Sequence, residues 1–128
     1  MDILIIKPMW ADKIFTSGKI WEIRGSNTKK RGSIGIAKSG TGLVYGTVNL
    51  INSIPLTKEQ WENNKEKHQV EMTWEDLLKI YKHPYAWIFN EWSVRKFSDP
   101  VPYIHKRGAV VWSKDESIRE KKCKGEKK

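Results

Sequence analysis

Short apolar runs, broken by glycine, proline and polar clusters, dominate the chain, which is the pattern of a strand-rich domain with few helices. The run Asp2–Ile6 is β-rich and apolar enough for a central strand. Pro8 suits the first turn of a helix, where the N–H it lacks has no partner in any case. Met9–Thr16 fits that helix, with Trp10, Ile14, Met9 and Phe15 facing inward and Gly18 at its C-terminal cap. Ile20–Arg24 reads as a short strand and Gly25–Gly32 as a polar loop. Ser33–Lys38 and Leu43–Asn52 form a hairpin about the glycine-rich turn Ser39–Gly42.

Pro55 ends this β region. Thr57 caps a helix over Lys58–Asn64, and the T-W-E-D pattern of Thr73–Asp76 opens a second that runs to Tyr81 and breaks at His83–Pro84. Tyr85–Phe89, Val94–Phe97 and Ala109–Trp112 read as strands, and Pro100 and Pro102 exclude a central strand between the last two. The expected class is α+β, mainly β: a small mixed barrel with two or three short helices beside its mouth. A single domain over 1–113 is expected, followed by a charged, disordered tail over 114–128.

Composition narrows the function. One domain suffices for 128 residues, and a core of this size needs no disulfide or metal staple. Cys123 is the lone cysteine, and no Cys/His cluster suggests zinc, so no metal or cofactor is expected and a reducing, cytoplasmic setting fits. The first apolar run, Ile3–Ile6, is too short for a signal peptide, and none later approaches the ~20 residues that span a bilayer, so no membrane association is expected. A monomer is favoured. The net charge of +9 divides into +3 in Ser113–Lys128 (seven basic, four acidic) and +6 in Met1–Trp112 (17 basic, 11 acidic). The body is therefore basic in its own right, and such a field attracts polyanions as well as serving solubility.

The stretch Ser17–Arg24, SGKIWEIR, resembles the signature G-x-K-x-x-E-x-R of the ASCH (activating signal cointegrator homology) family, in the PUA-like superfamily. Lys19, Glu22 and Arg24 match its K-x-x-E-x-R portion, with Gly18 one residue closer to the lysine than the signature has it. The blocks WEIRGSNTKKRGSIGIAKSGTGLVYGTVNLINSIPLT, HPYAWIF and PYIHKRGAVVW resemble the family in the same order, so the likeness spans Asp2–Trp112. It implies a PUA-like barrel whose motif residues line a cleft between barrel and helices. Members are associated with RNA binding and with transcription coactivation, and some small bacterial relatives are described as acetylcytidine amidohydrolases or ribonucleases.

The residues themselves admit two readings each. Lys19 can deliver a mobile ammonium to a phosphate or carbonyl. Glu22 and Arg24 share a strand face, where the guanidinium suits a phosphate and the carboxylate a base amino group, or where the two simply pair. Trp21 falls on the opposite face, in the core. Tyr85 and Trp87 share a face, and one of them is a candidate to line the site and stack a base. Lys29, Lys30 and Arg31 are either phosphate contacts or a solvated turn. Lys38 and Ser39 open a loop that offers donors to an anion or is only a hairpin turn. His105, Lys106 and Arg107 make a further basic patch, and no histidine sits in a recognisable catalytic arrangement.

RNA or a nucleotide-like anionic ligand in a basic cleft is thus the leading expectation. Against the amidohydrolase alternative, Glu22 falls where the resemblance places a nucleophilic threonine. Thr16, Ser17 and Thr28 lack the spacing, so catalysis is left open but not favoured. If it is an enzyme, Lys19, Glu22 and Glu71 are the catalytic candidates. A ribonuclease and a protein-interaction module remain further alternatives.

Overall fold

The computed structural model describes residues 1–104, 111–115 and 118. β1 (Asp2–Ile6) runs parallel to β3 (Gly32–Lys38) on one side and antiparallel to β7 (Trp112–Lys114) on the other. Ile3–Ile6 are all buried because the strand has core on both faces: Leu4 and Ile6 enter one cluster, Ile3 and Ile5 another. That two-sided burial is why this segment reads as continuous rather than alternating hydrophobicity.

β4 (Leu43–Pro55) is the spine of the sheet. One edge pairs with β3. The other is divided, Leu43–Thr47 taking β6 (Arg95–Pro102) and Leu50–Pro55 taking β5 (Tyr85–Phe89). β2 (Trp21–Arg24) pairs with β5, giving the path β2-β5-β4-β3-β1-β7 with β6 beside β4. Register shifts at Ile36/Ala37, Val44/Gly46 and Leu50/Asn52 add local twist, and the sheet coils into a barrel-like shell. Among the described residues its strand path does not close into a ring. The α+β, mainly β class and the mixed sheet are as the sequence predicts.

Several expectations change. β4 continues to Pro55, three residues past Asn52. β6 runs through Pro100 and Pro102, which an edge strand tolerates because it needs no ladder bond on its outer side. Gly46 lets this edge approach, since a Cβ there would strike both the Arg95 carbonyl and the Phe15 ring. Four short helices, rather than two or three, occur among the described residues: α1 (Pro8–Thr16), α2 (Lys58–Asn63), α3 (Lys65–His68) and α4 (Trp74–Ile80). Thr57 and Gln60 form a reciprocal capping box at α2, and the Thr73 hydroxyl accepts from Asp76 N at α4. In α1 the buried residues are Ala11 and Ile14, while Met9 is 52% exposed and does not face inward.

A third cluster joins Trp21, Ile23 and Ala86 to Leu56, Trp61 and Leu77, so α2 and α4 lie against the outer face of β2 and β5. Beyond position 113 the chain still packs: Lys114 lies opposite Asp2 in the β1–β7 ladder, and Ile118 is buried with Ile3 and Ile5. The rest of the expected tail, positions 109–110 of the expected last strand, and the patch His105, Lys106 and Arg107 lie outside the described residues. None of the described helices is long and apolar enough to cross a membrane.

Candidate functional site

The faces of β2 set up the site. Cross-strand pairing puts Glu22 opposite Trp87 and Arg24 opposite Tyr85, and directly opposed residues share a face. Trp21 and Ile23 therefore point to the helices, as expected for Trp21, while Glu22 and Arg24 point the other way. Arg24 Nε donates to Glu22 Oε2 at 2.9 Å, and Arg24 Nη2 donates to the Ile5 carbonyl at 3.2 Å. The guanidinium also lies 5.4 Å from the Trp87 ring centroid. Trp87 in turn stacks on Trp112 at 5.7 Å, and Lys30 Nζ sits 5.0 Å from the Trp112 ring.

Lys19, Glu22 and Arg24 all line one slot of about 450 Å3. Its other walls are Ile5, Ile6, Lys7 and Trp10 from β1 and the start of α1, Ile23, Ser39, Val70 and Met72, and Leu77, Ile80 and Tyr81 from α4 and its end. Nine of these fourteen residues are apolar or aromatic, so the slot is an apolar crevice with charged groups set into it. Glu22 is 5% exposed, and among the described residues its Oε1 accepts no hydrogen bond.

Lys19 is not a mobile ammonium. Its residue is 1% exposed, and Nζ donates to the Trp21 carbonyl at 2.7 Å and to the His68 carbonyl at 2.5 Å, 4.7 Å from the centre of the Trp10 ring. Loss of hydration lowers its pKa from 10.5 to about 8; the Glu22 carboxylate opposes the shift, and Lys13 and Arg24 add to it. An ammonium has three donors, so the two carbonyls leave one N–H unspent.

His68 completes this junction. It is fully buried, stacked on Trp61 with ring centres 3.8 Å apart. Val70 N donates to Nδ1 at 3.0 Å, which leaves Nε2 to donate to the Trp61 carbonyl at 2.8 Å, the arrangement of a neutral Nε2–H imidazole. Burial lowers its pKa from 6.5, with the Trp61 carbonyl opposing. Trp61 Nε1 donates to the Met72 carbonyl at 2.9 Å. The segment from His68 to Met72 is thus a wall of the slot, pinned by Lys19, His68 and Trp61 together. Within it Gln69 takes a left-handed φ of 57°, uncommon for a residue with a side chain, and its Nε2 donates to the Ser17 and Glu66 carbonyls.

The other sequence candidates lie elsewhere. Trp87 is 2% exposed and donates to the Ser26 carbonyl at 2.9 Å; half-buried Tyr85 packs against the main core; neither lines the slot. Lys29 is exposed, Lys30 pairs with Asp2 at 3.2 Å, and Arg31 donates to the Thr28 and Lys30 carbonyls, which ties the loop to itself. Lys38 pairs with Asp12 at 2.7 Å, while its neighbour Ser39 does reach the slot. Glu71 lines a different hollow, of about 860 Å3, under the helices. Thr16, Ser17 and Thr28 do not line the slot. Sequence reasoning missed Val70, Met72, Leu77 and Tyr81, whose only signal was the capped helix that carries the last two. Among the described residues no group of three or more His, Cys, Asp or Glu could hold a metal ion.

Comparison with known proteins bears on the family and the fold. No curated protein matches the chain. Solved structures of the ASCH protein from Zymomonas mobilis, and of two of its point mutants, superpose with a TM-score of 0.59 at 14% identity, over 79% of this chain and 72–74% of theirs. At that identity the likeness establishes the fold. The model of the ASCH domain matches residues 4–101, which take in β1 from Leu4, every element from α1 to β5 and most of β6. The chain belongs to the ASCH domain family and carries its PUA-like fold.

Proposed function

We propose that this domain binds a nucleobase, presented by RNA or by a free nucleotide, in the slot between β2, β1, α1 and α4. One observation carries the reading: Glu22 holds an unspent carboxylate oxygen inside an apolar crevice. A carboxylate there accepts from a base amino or imino group, while the apolar walls cover a flat ring. The third Lys19 N–H and the remaining Arg24 N–H groups supply donors beside it, so the polar edge of a base meets both kinds of partner. The volume of about 450 Å3 lies within the range of small-ligand pockets. The body charge of +6, from 17 basic and 11 acidic residues, draws a phosphate backbone toward the domain.

A hydrolase is the second reading, favoured by Lys19. With a pKa of about 8, part of the population near neutral pH carries a free amine, whose two N–H groups would satisfy the two carbonyls and leave a lone pair. It lacks a matched threonine, and among the described Ser and Thr residues Ser39 alone lines the slot.

Titration with the four ribonucleoside 5′-monophosphates and a ten-nucleotide single-stranded RNA tests both. Binding of at least one mononucleotide is expected, weakened about ten-fold or more by Glu22→Gln, which keeps the shape but loses the charged acceptor. No binding, or binding indifferent to Glu22→Gln, overturns the slot reading. Release of acetate from acetylcytidine would replace it with the hydrolase.

A further inference from the structure

Trp92 is 82% exposed, more than any other large apolar side chain among those described. A single exposed apolar residue is ordinary on a mobile loop. This one is fixed. It sits in a 3-10 turn (Glu91–Ser93) whose cap, Asn90, accepts from Trp92 N at 2.9 Å through its side chain and from Ser93 N at 3.0 Å through its carbonyl. Asn90 N donates to the Asn49 carbonyl at 2.9 Å, and Asn49 N donates to Ser93 Oγ at 2.8 Å, so the turn is bolted to β4 from both directions. The backbone of the turn is thus fixed, and it presents the indole to solvent.

Cations follow it directly. Arg95 and Lys96, the first two residues of β6, are exposed and join no ion pair among the described residues, unlike Lys30, Lys38, Lys58 and Lys79. Arg95 shares a strand face with buried Phe97, and Lys96 takes the other face. The Arg95 carbonyl and the Phe15 ring both abut Gly46, which places this patch near the C-terminal end of α1, while Trp10 near the N-terminal end lines the slot.

We propose that Trp92, with Arg95 and Lys96 on the two faces of the strand that follows it, is a second contact for single-stranded nucleic acid, the indole stacking a base while the chain crosses this edge and the cations meet phosphates on either side of it. An exposed aromatic face with unpaired cations in the adjoining strand is the kind of surface that sequence-tolerant strand binding uses, because every base has a π face and every step a phosphate. The patch stands apart from the slot and does not depend on what the slot holds.

The test pairs two ligands: the ten-nucleotide single-stranded RNA, and a mononucleotide too short to reach Trp92 from the slot. Trp92→Ala should weaken RNA binding roughly ten-fold and leave mononucleotide binding unchanged, and Trp92→Phe should keep most of the affinity. Arg95→Ala with Lys96→Ala should weaken RNA binding and lower its salt slope by about one to two. Mononucleotide binding without any effect of Trp92→Ala on RNA overturns the platform and spares the slot. RNA binding that needs Trp92, with no mononucleotide binding, upholds the platform and removes the slot. If Trp92→Ala leaves RNA binding intact and abolishes self-association in sedimentation instead, the patch is a protein contact and the proposal fails.

Discussion

Two hollows share one wall, and they are built on opposite plans. Val70 and Met72 line both the slot and the larger hollow under α2–α4. The larger one, about 860 Å3, has a rim of exposed Glu62, Glu66, Glu71, Glu75 and Asp76. The smaller, about 450 Å3, has buried Lys19 and Glu22. Exposed carboxylates are solvated and cost the fold little, so they need no ligand to explain them. A charge taken out of water must be matched by partners: two carbonyls match Lys19 and Arg24 matches one oxygen of Glu22, whose other oxygen stays accessible. Volume alone would point to the larger hollow. The proposed function rests instead on the carboxylate oxygen that Glu22 leaves without a partner in the smaller one.

The largest effect that sharpens this contrast comes from Lys19. Below pH 8 its protonated form is held in the fold against the loss of hydration. Between about 8 and 10.5 the folded chain releases that proton while the unfolded chain keeps it, so stability must rise with pH across the window. The gain is about 3 kcal/mol, from 1.36 kcal/mol per pH unit. Urea unfolding at pH 7.5 and pH 10.5 should show the wild type gaining this much relative to Lys19→Met. Parallel pH profiles for the two proteins would mean that Lys19 is hydrated and the slot open at its floor. The smallest effect belongs to the other hollow: Glu71→Ala should change stability by less than about 0.5 kcal/mol and leave nucleotide affinity within two-fold. A large loss of affinity would move the site to the larger hollow.

Much of the fold was legible because local rules and burial agree. The capped helices at Thr57 and Thr73, the hairpin about Ser39–Gly42 and the strand before Pro8 all carry signals in adjacent residues. The prolines of β6 were legible as excluding a central strand, but not as part of a continuing edge strand, because which edge is free depends on pairing with β4. In the site, alternation separated Trp21 from Glu22 and put Glu22 beside Arg24, since a two-residue period needs no tertiary knowledge. Alternation could not say that Trp87 would be consumed by Trp112 and Arg24, or that Lys19 would be pinned by a carbonyl 49 positions away. Those contacts are long-range, and the wall from His68 to Met72 carries no motif. Glu71 looked catalytic by type, but it faces the other side of that wall.

The most direct measurement is a crystal structure of the protein soaked with whichever mononucleotide binds best. The expected result is the base seated in the slot with an amino or imino group within hydrogen-bond distance of Glu22, and the phosphate toward the mouth. A nucleotide seated against Trp61 and Glu71 in the larger hollow, or held only by its phosphate on surface lysines with the slot empty, would contradict it.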